Sequence, residues 1–340
     1  MIPAIFGLSG PQLTADERAF FRAADPAGYI LFGRNCIDPQ QLRALTDDLR
    51  SIHGRDRLLV SIDQEGGRVA RLRPPHWSPY PCGDAFAQLY DIAPASAIEA
   101  ARASATAMAL ELSAMGITVD YHPPLDLRVP GAHDVIGDRA LGADPVQVAS
   151  LGRAILEGLA AGGVAGCIKH MPGHGRTDVD THKALPTVTA SAEELEDDLA
   201  PFRTLNNAPI GMTGHLVFTA WDAENPATLS ETVIRDIIRG SIGFDGLLLT
   251  DDIDMEALGG TIPERAARAY AAGCDIILNC WAKMHDMEGI CEVLPEMSDA
   301  TAARLDRALA GTRIAPAIAP EQRELLAKRD ALLALTGAAA

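Results

Sequence analysis

Eight short apolar runs recur along the chain, and each is bounded by glycine or by polar residues. The runs are rich in leucine and in β-branched residues, which is typical of strands buried in a parallel sheet. The predicted strands are residues 4–10, 28–33, 57–64, 117–127, 166–173, 210–218, 244–252 and 274–280.

Amphipathic segments separate these strands, and several carry helix-start signals. Segment 38–53 begins with an Asp-Pro pair, 191–205 begins with a serine three residues before a glutamate, and 230–240 begins with serine and ends at glycine. The alanine-rich segment 97–116 fits a coiled coil or one buried helix, and we favour the buried helix.

The alternation of strands and helices predicts an α/β fold, a (β/α)₈ TIM barrel. We expect a single domain over residues 1–340, with C-terminal helices after about residue 290. The main alternative is a doubly wound open sheet. It is disfavoured because no G-x-G-x-x-G motif follows the first strand.

The composition of the chain argues against nucleic acid and membranes as partners. The formal net charge of −17 argues against nucleic acid, because phosphate binding needs clustered lysine and arginine. No apolar run approaches the length of a membrane span, and no basic segment precedes the first run, so we predict neither membrane attachment nor a signal peptide. The six cysteines show no C-x-x-C spacing, and we expect free thiols in the cytoplasm.

Polar side chains collect where predicted strands end. They are Asp63, Lys169, His170, His215, Asp251 and Asp252. Burying a charge in the middle of a strand is costly, whereas the C-terminal mouth of a barrel is where such groups are used. The sequence therefore predicts one site at this end of the barrel.

Three histidines, His170, His174 and His182, first suggest a metal site. Helical zinc sites need their ligands on one helical face, and a proline and two glycines between residues 172 and 175 break any helix there. We therefore predict no metal, although a metal-dependent barrel hydrolase stays an alternative.

Two further motifs leave their roles open. In "TDD", either Asp251 or Asp252 could face a ligand while the other caps the next turn. Asp63 is followed by Arg68 and Arg71, which could be its partners in hydroxyl binding or part of a surface ion pair. Arg139 by itself is weak evidence for a binding site, because a lone arginine in a loop is usually solvated.

Three segments together resemble family 3 glycoside hydrolases, and more narrowly the single-domain β-N-acetylglucosaminidases of bacterial cell-wall recycling. They are "SIDQEGGRVARL" (61–72), "KHMPGHGRTDVDTHKALP" (169–186) and "FDGLLLTDDIDMEAL" (244–258). The resemblance runs from about residue 5 to residue 290. Three positions depart from the usual family pattern, namely Met171, Arg176 and Thr181.

The resemblance implies roles for individual residues. Asp251 would be the nucleophile, His182 the general acid/base and Asp180 the group that orients its imidazole. The residues implied to hold the terminal sugar are Asp63, Arg71, Arg139, Lys169 and His170. His174 would shape the loop that carries the acid/base, and His215 would support the site.

The implied function is exo-acting, retaining β-N-acetylglucosaminidase activity on small cell-wall fragments of the GlcNAc-anhydroMurNAc type. We expect no cofactor and a monomer. The alternatives within the family are a β-glucosidase or a phosphorylase-type activity, and outside it a metal-dependent hydrolase or an inactive sugar-binding barrel.

Overall fold

The computed structural model describes residues 1–55, 57–132, 134–177 and 185–337. Its strands are β1 Ile2–Gly7, β2 Pro26–Leu31, β3 Leu59–Ile62, β4 Val119–Asp120, β5 Ala165–Met171, β6 Thr187–Val188, β7 Ile210–Thr213, β8 Val217–Phe218, β9 Leu247–Leu249 and β10 Ile277–Asn279. Its α-helices are α1 Ala15–Ala24, α2 Pro39–His53, α3 Gly83–Ile92, α4 Pro94–Ala114, α5 Pro145–Gly162, α6 Glu196–Thr204, α7 Ile262–Ala272, α8 Met284–Val293, α9 Asp299–Leu309 and α10 Glu321–Leu333.

Eight parallel strands form one sheet in the order β10-β1-β2-β3-β4-β5-β7-β9. A parallel bridge between Leu249 and Ile276 joins the two ends of this sheet and closes the ring. The strand order follows the chain around the ring, so the predicted barrel is confirmed and the doubly wound sheet is wrong. The small strands β6 and β8 pair with each other outside the barrel.

Alternate residues of each barrel strand pack into two different clusters. On β1 and β2, Ile5 and Ile30 belong to the cluster that fills the barrel, whereas Phe6 and Tyr29 belong to the cluster between strands and helices. Because successive side chains of a strand point to opposite faces, a strand covered on both faces must be apolar throughout. This explains the continuous apolar runs of the sequence.

Each of the eight predicted strand segments overlaps one barrel strand, although β1, β2 and β5 begin one or two residues earlier than predicted and several strands are shorter. In segment 117–127 only Val119–Asp120 forms a strand. Pro123 and Pro124 lack the amide hydrogen that a ladder needs, so regular pairing stops before them. Segment 210–218 divides into β7 and β8.

The helix-start signals are confirmed at two positions and shifted at the third. The Asp38 side chain accepts from the Gln41 amide and caps α2, and Ser230 Oγ accepts from the Val233 amide at 3.1 Å. The following helix, Val233–Ser241, is of the π type. Ser191 and Glu194 exchange the expected hydrogen bonds, yet α6 begins only at Glu196.

Alanine-rich α4 is a single buried helix, as predicted. It packs against α5 and against the C-terminal helix α10, and most of its alanines are buried. Helices therefore do follow residue 290, and α10 covers part of the outer layer. Among the described residues, no helix is long and apolar enough to span a bilayer.

Candidate active site

A cavity of about 300 Å³ opens at the C-terminal ends of the barrel strands. Its polar lining residues include Asp63, Glu65, Arg71, Arg139, Lys169, His170, His174, Asp251 and Asp252, and its apolar ones include Phe32, Val69, Val135 and Met255. The structure therefore brings together the polar side chains that the sequence places at strand ends, with the exception of His215. A cavity of this size, lined by so many charged and polar side chains, fits a small polar ligand.

The Lys169 ammonium group links two carboxylates of the β3 end. Its Nζ lies 3.0 Å from Asp63 Oδ1 and 2.7 Å from Glu65 Oε1. Arg71 Nη2 donates to the other oxygen of Asp63 at 3.1 Å. Burial opposes the ionised form of Asp63, but Lys169 and Arg71 hold its pKa below the ordinary value.

Glu65 is the centre of this charged cluster, and the sequence analysis did not single it out. Arg139 Nε and Nη2 donate to its two oxygens at 2.8 and 2.7 Å, in the paired geometry that arginine forms with carboxylates. Only 4% of its side chain is exposed. Burial opposes its charge, but Arg139 and Lys169 hold the pKa of Glu65 well below the ordinary value.

Two interpretations made from arginine positions need correction. Arg139 is not a solvated loop residue, because its side chain is only 13% exposed and is paired with Glu65. Arg68 is not a partner of Asp63. It instead pairs with Asp138 at 2.7 Å and donates to the Val135 carbonyl at 2.8 Å, and so ties the loop after β3 to the loop after β4.

Asp126 is a second residue that the sequence analysis missed. Its Oδ2 lies 2.7 Å from His170 Nδ1, and its Oδ1 accepts from the His174 amide at 2.7 Å. Burial opposes its charge, but the two histidines hold the pKa of Asp126 below the ordinary value. Because Nδ1 of His170 is used in this contact, Nε2 is the ring nitrogen left for a ligand.

Asp251 follows β9 and lines the cavity. Its Oδ1 accepts from the Asp252 amide at 2.8 Å, and Oδ2 has no hydrogen bond within the described part of the chain. Burial opposes the charged form, but the electrostatic attraction of His170 and His215 and the hydrogen bond from the Asp252 amide hold the pKa of Asp251 below the ordinary value. The side chain is therefore a carboxylate at neutral pH with one oxygen available to the cavity.

His215 supports the backbone next to Asp251 and does not line the cavity. Its Nε2 lies 2.9 Å from the Asp252 carbonyl oxygen, and its Nδ1 lies 2.8 Å from Thr228 Oγ1. Burial lowers the pKa of His215, so the neutral ring is favoured. A carbonyl oxygen only accepts, so Nε2 carries the proton.

The pKa of Asp252 is shifted in the opposite direction to that of Asp251. Burial raises its pKa well above the ordinary value, and the nearby carboxylate of Asp254 adds to the shift through repulsion and a shared hydrogen bond. Asp254 Oδ2 accepts from the amides of Cys280 and Trp281 at 2.8 and 3.1 Å. Of the two adjacent aspartates in "TDD", Asp251 is thus the anion at the cavity.

The loop after β5 carries two residues for which roles were expected, His182 and Asp180, and both lie outside the described residues. The part that precedes them is held firmly. Arg176 Nε donates to Asp198 Oδ2 at 2.7 Å, and so anchors the loop to α6. His174 is buried, and burial lowers its pKa to about 4. Within the described ranges, no three His, Cys, Asp or Glu side chains are grouped as metal ligands.

The chain is similar to known proteins over most of its length. It matches the glycosyl hydrolase family 3 N-terminal domain over residues 8–315. It is 38% identical over 283 residues to a β-hexosaminidase of Bordetella avium, which covers 82% of this chain and 80% of that protein. It is 40% identical to a β-hexosaminidase of Alkalilimnicola ehrlichii over the same shares of the two chains.

A solved structure shows the same architecture. NagZ from Neisseria gonorrhoeae in complex with N-trifluoroacetyl-D-glucosamine superposes with a TM-score of 0.87 at 32% identity, covering 99% of this chain and 98% of that one. The resemblance detected in the three sequence motifs is therefore confirmed across the barrel. This chain is a glycoside hydrolase of the β-hexosaminidase class, and it belongs to glycosyl hydrolase family 3.

Proposed function

We propose that the enzyme releases terminal β-linked N-acetylglucosamine from cell-wall fragments through a covalent glycosyl-enzyme on Asp251. The observation that carries this proposal is an ionised carboxylate at a strand end, in the same cavity as a buried cluster of hydroxyl-binding charges. Retaining glycosidases need a nucleophile and an acid/base on opposite sides of the glycosidic bond.

Asp251 is suited to the nucleophilic role. Its Oδ1 is fixed by the Asp252 amide, and Oδ2 would form the bond to the anomeric carbon as the bond to the leaving oxygen breaks. His182 would give its proton to that oxygen. In the second step His182 would take a proton from water, which attacks the anomeric carbon and releases Asp251.

A histidine acid/base is chemically reasonable at this position of the chain. An imidazole has an unperturbed pKa of about 6.5, so both of its forms are accessible near neutral pH. Asp180, two residues earlier, would accept the proton of Nδ1 and fix the tautomer. The glycines of the loop would let it close over the sugar before each chemical step.

The charged cluster at β3 and β5 would hold the sugar ring. Asp63 and Glu65 can accept hydrogen bonds from hydroxyl groups, whereas Lys169, Arg71 and His170 can donate to them. Arg139 would act through Glu65, because both its Nε and Nη2 donate to that carboxylate. The N-acylated glucosamine in the NagZ crystal structure supports N-acetylglucosamine as the sugar.

The proposal also covers the domain organisation, the oligomeric state and the cellular location of the enzyme. We propose that residues 1–340 act as one catalytic domain and as a monomer, on imported GlcNAc-anhydroMurNAc fragments in the cytoplasm. The six cysteines are free thiols, which supports a reducing compartment. Size-exclusion chromatography with light scattering and cell fractionation would test the oligomeric state and the location.

The mechanism is tested by trapping the intermediate. A 5-fluoro N-acetylglucosaminide should label the wild-type enzyme, and the labelled peptide should contain Asp251. The Asp251→Ala variant should take up no label, whereas Asp252→Ala should still be labelled. Labelling at another residue, or a turnover in which no adduct forms, would contradict covalent catalysis by Asp251 and would favour attack by the acetamido oxygen of the substrate.

The specificity is tested with substrate pairs. Turnover of 4-nitrophenyl β-N-acetylglucosaminide should exceed that of the β-glucoside, and the product should be free sugar with or without phosphate in the buffer. A preference for the glucoside would indicate a β-glucosidase, and a sugar phosphate would indicate phosphorolysis. Loss of less than a few-fold in His182→Ala would refute its role as the acid/base.

A further inference from the structure

Gln64 stands between two residues of the charged cluster but does not itself line the cavity. Asp63 and Glu65 are both part of the cavity lining, whereas Gln64 is not. Gln64 is instead buried, with only 1% of its surface exposed. A buried amide group needs hydrogen-bond partners, because leaving it unpaired is costly. The partners of this side chain therefore indicate what it does.

The Gln64 carboxamide binds the backbone of Arg71 and Leu72. Its Oε1 accepts from the Arg71 amide at 2.8 Å and from the Leu72 amide at 3.0 Å. Its Nε2 donates to the Leu72 carbonyl oxygen at 2.9 Å. One side chain thus satisfies three peptide groups that lie seven and eight residues further along the chain. It fixes the backbone from which the Arg71 guanidinium projects.

Both ends of this connection are held in the core. The Gln64 amide donates to Asp120 Oδ1 at 2.9 Å, and Asp120 is the fully buried last residue of β4. At the other end, Leu72 is 1% exposed and belongs to the cluster between strands and helices. The carboxamide therefore joins two points that cannot move independently of the barrel.

The turn between Gln64 and Arg71 is closed by short backbone hydrogen bonds. The amides of Glu65 and Gly66 both donate to the Val69 carbonyl oxygen, at 2.9 and 3.1 Å. The chain reverses there, so the segments before and after the turn lie side by side. The Gln64 carboxamide is the side-chain group that joins these two segments.

The tip of the Arg71 side chain is oriented by two other contacts. Its Nη2 donates to Asp63 Oδ2 at 3.1 Å. Its guanidinium carbon lies 5.3 Å from the centre of the Phe32 ring, a distance at which a cation and an aromatic face attract each other. Both contacts are made at the end of the side chain, whereas the position of its backbone is set by Gln64.

We propose that Gln64 is a positioning residue for sugar binding, which acts through Arg71. This inference rests on the proposed function, in which Arg71 donates to the terminal sugar. Loss of the carboxamide would leave three buried peptide groups without their partner. The Arg71 backbone could then shift, and the guanidinium would no longer meet Asp63 and the sugar together. The proposed nucleophile Asp251 follows a different strand, β9, so binding should suffer more than bond cleavage.

A double-mutant cycle tests this role. The methionine in Gln64→Met has a similar length but no amide group. This variant should raise both the KM for 4-nitrophenyl β-N-acetylglucosaminide and the Kd of N-acetylglucosamine in an NMR titration roughly tenfold, because losing a hydrogen bond to a charged group commonly costs about a factor of ten. The kcat should stay within threefold. In an Arg71→Met background, Gln64→Met should weaken binding less than twofold, because the group through which it acts is absent.

Gln147→Met is the matched control. Gln147 is also buried, and its Nε2 donates to the Ala87 carbonyl oxygen at 3.3 Å, outside the cavity lining. Its substitution should lower the Tm but leave KM within twofold. Unchanged KM and Kd in Gln64→Met, an equal loss in both Arg71 backgrounds, or the same loss in Gln147→Met would overturn the proposal. If Gln64→Met does not fold, Gln64→Asn takes its place in the cycle, because its amide is one methylene too short to reach both peptide groups.

A readout without sugar separates this inference from the proposed function. Hydrogen exchange of the Arg71 and Leu72 amides should be at least tenfold faster in Gln64→Met than in wild type, because both amides lose their acceptor. Unchanged exchange at these amides would refute the positioning role, whatever the substrate. If the wild-type enzyme hydrolysed no N-acetylglucosaminide, the proposed function would fail instead.

Discussion

Replacing Glu65 by glutamine should destabilise the fold more than any surface charge change, although the side chain keeps its size. Glu65 accepts three hydrogen bonds at 2.7 to 2.8 Å, two from Arg139 and one from Lys169. A glutamine is neutral and has one acceptor oxygen, so two buried cations lose their common anion. Breaking a buried ion pair by removing one partner costs about 3–5 kcal/mol.

The structure favours the lower end of that range. Lys169 keeps Asp63 as a partner at 3.0 Å, and Arg139 Nη1 keeps the Val135 carbonyl at 3.2 Å. We therefore expect a loss of about 3 kcal/mol in the free energy of unfolding, measured by urea denaturation followed by tryptophan fluorescence. The slope of the free energy against urea should not change, because the surface exposed on unfolding stays the same.

Glu99→Gln is the matched control. Glu99 pairs with Arg102 and Lys328, and its side chain is 38% exposed. An exposed pair contributes about 0–1 kcal/mol. Equal effects of the two substitutions, or a loss below about 1 kcal/mol for Glu65→Gln, would refute the argument that burial makes this cluster important.

The stability that Glu65 contributes to the fold should depend on pH in a defined direction. The pKa of Glu65 is lower in the folded protein than its ordinary value of 4.5. The stability that Glu65 contributes is therefore fully present above the unfolded pKa and is lost as pH falls through the folded pKa. The difference between wild type and Glu65→Gln should be largest near neutral pH and should shrink in strong acid.

Three other perturbations follow from the buried groups. Burial lowers the pKa of His122 to about 4, so the wild type should lose up to about 3 kcal/mol between pH 6.5 and 4, and His122→Gln should lose less in urea denaturation at each pH. The pKa of Asp252 is raised, so the stability of Asp252→Asn relative to wild type should increase from pH 4 to 7 in the same assay. A Cβ at Gly175 would lie 2.0 Å from the Leu127 carbonyl oxygen. Gly175→Ala should therefore displace the loop after β5, which carries the proposed acid/base His182, and lower kcat roughly a hundredfold. Gly10→Ala, where a Cβ meets nothing within 4 Å, should leave kcat unchanged.

The barrel could be predicted because its strands are buried on both faces and the chain repeats one pattern eight times. What the pattern could not give was the extent of each strand. At 117–127 two prolines interrupt the regular ladder, so that beyond Asp120 only single hydrogen bonds and an isolated bridge between Pro124 and Lys169 continue. In 210–218 the chain leaves the barrel after Thr213. Both outcomes depend on which neighbour offers a hydrogen bond, and apolar periodicity does not report that.

The sequence predicted where the polar side chains of the site lie, but not which of them pair with each other. Asp63 and Lys169 could be assigned to one rim because both end strands. Glu65 stands two residues after Asp63 in the same motif, yet its partner Arg139 is 74 residues away. Asp126 likewise meets His170 across 44 residues. The local sequence does not reveal which distant residue pairs with a buried carboxylate. It indicates only that some cation must balance the charge.

The two adjacent aspartates illustrate what only the folded surroundings decide. Both are partly buried, and burial opposes ionisation in each. Asp251 is near His170, at the end of β5, and His215, which follows β7, and their attraction stabilises its charge. Asp252 lies next to Asp254. The Oδ2 atom of Asp254 already accepts hydrogen bonds from Asn279, Cys280 and Trp281. The Oδ1 atom of Asp254 has no donor other than a protonated carboxyl. Burial and the repulsion from Asp254 therefore raise the pKa of Asp252 and favour its protonated form. A protonated Asp252 would spare Asp251, the proposed nucleophile, a repulsion that would otherwise raise its pKa and weaken it as an ionised nucleophile.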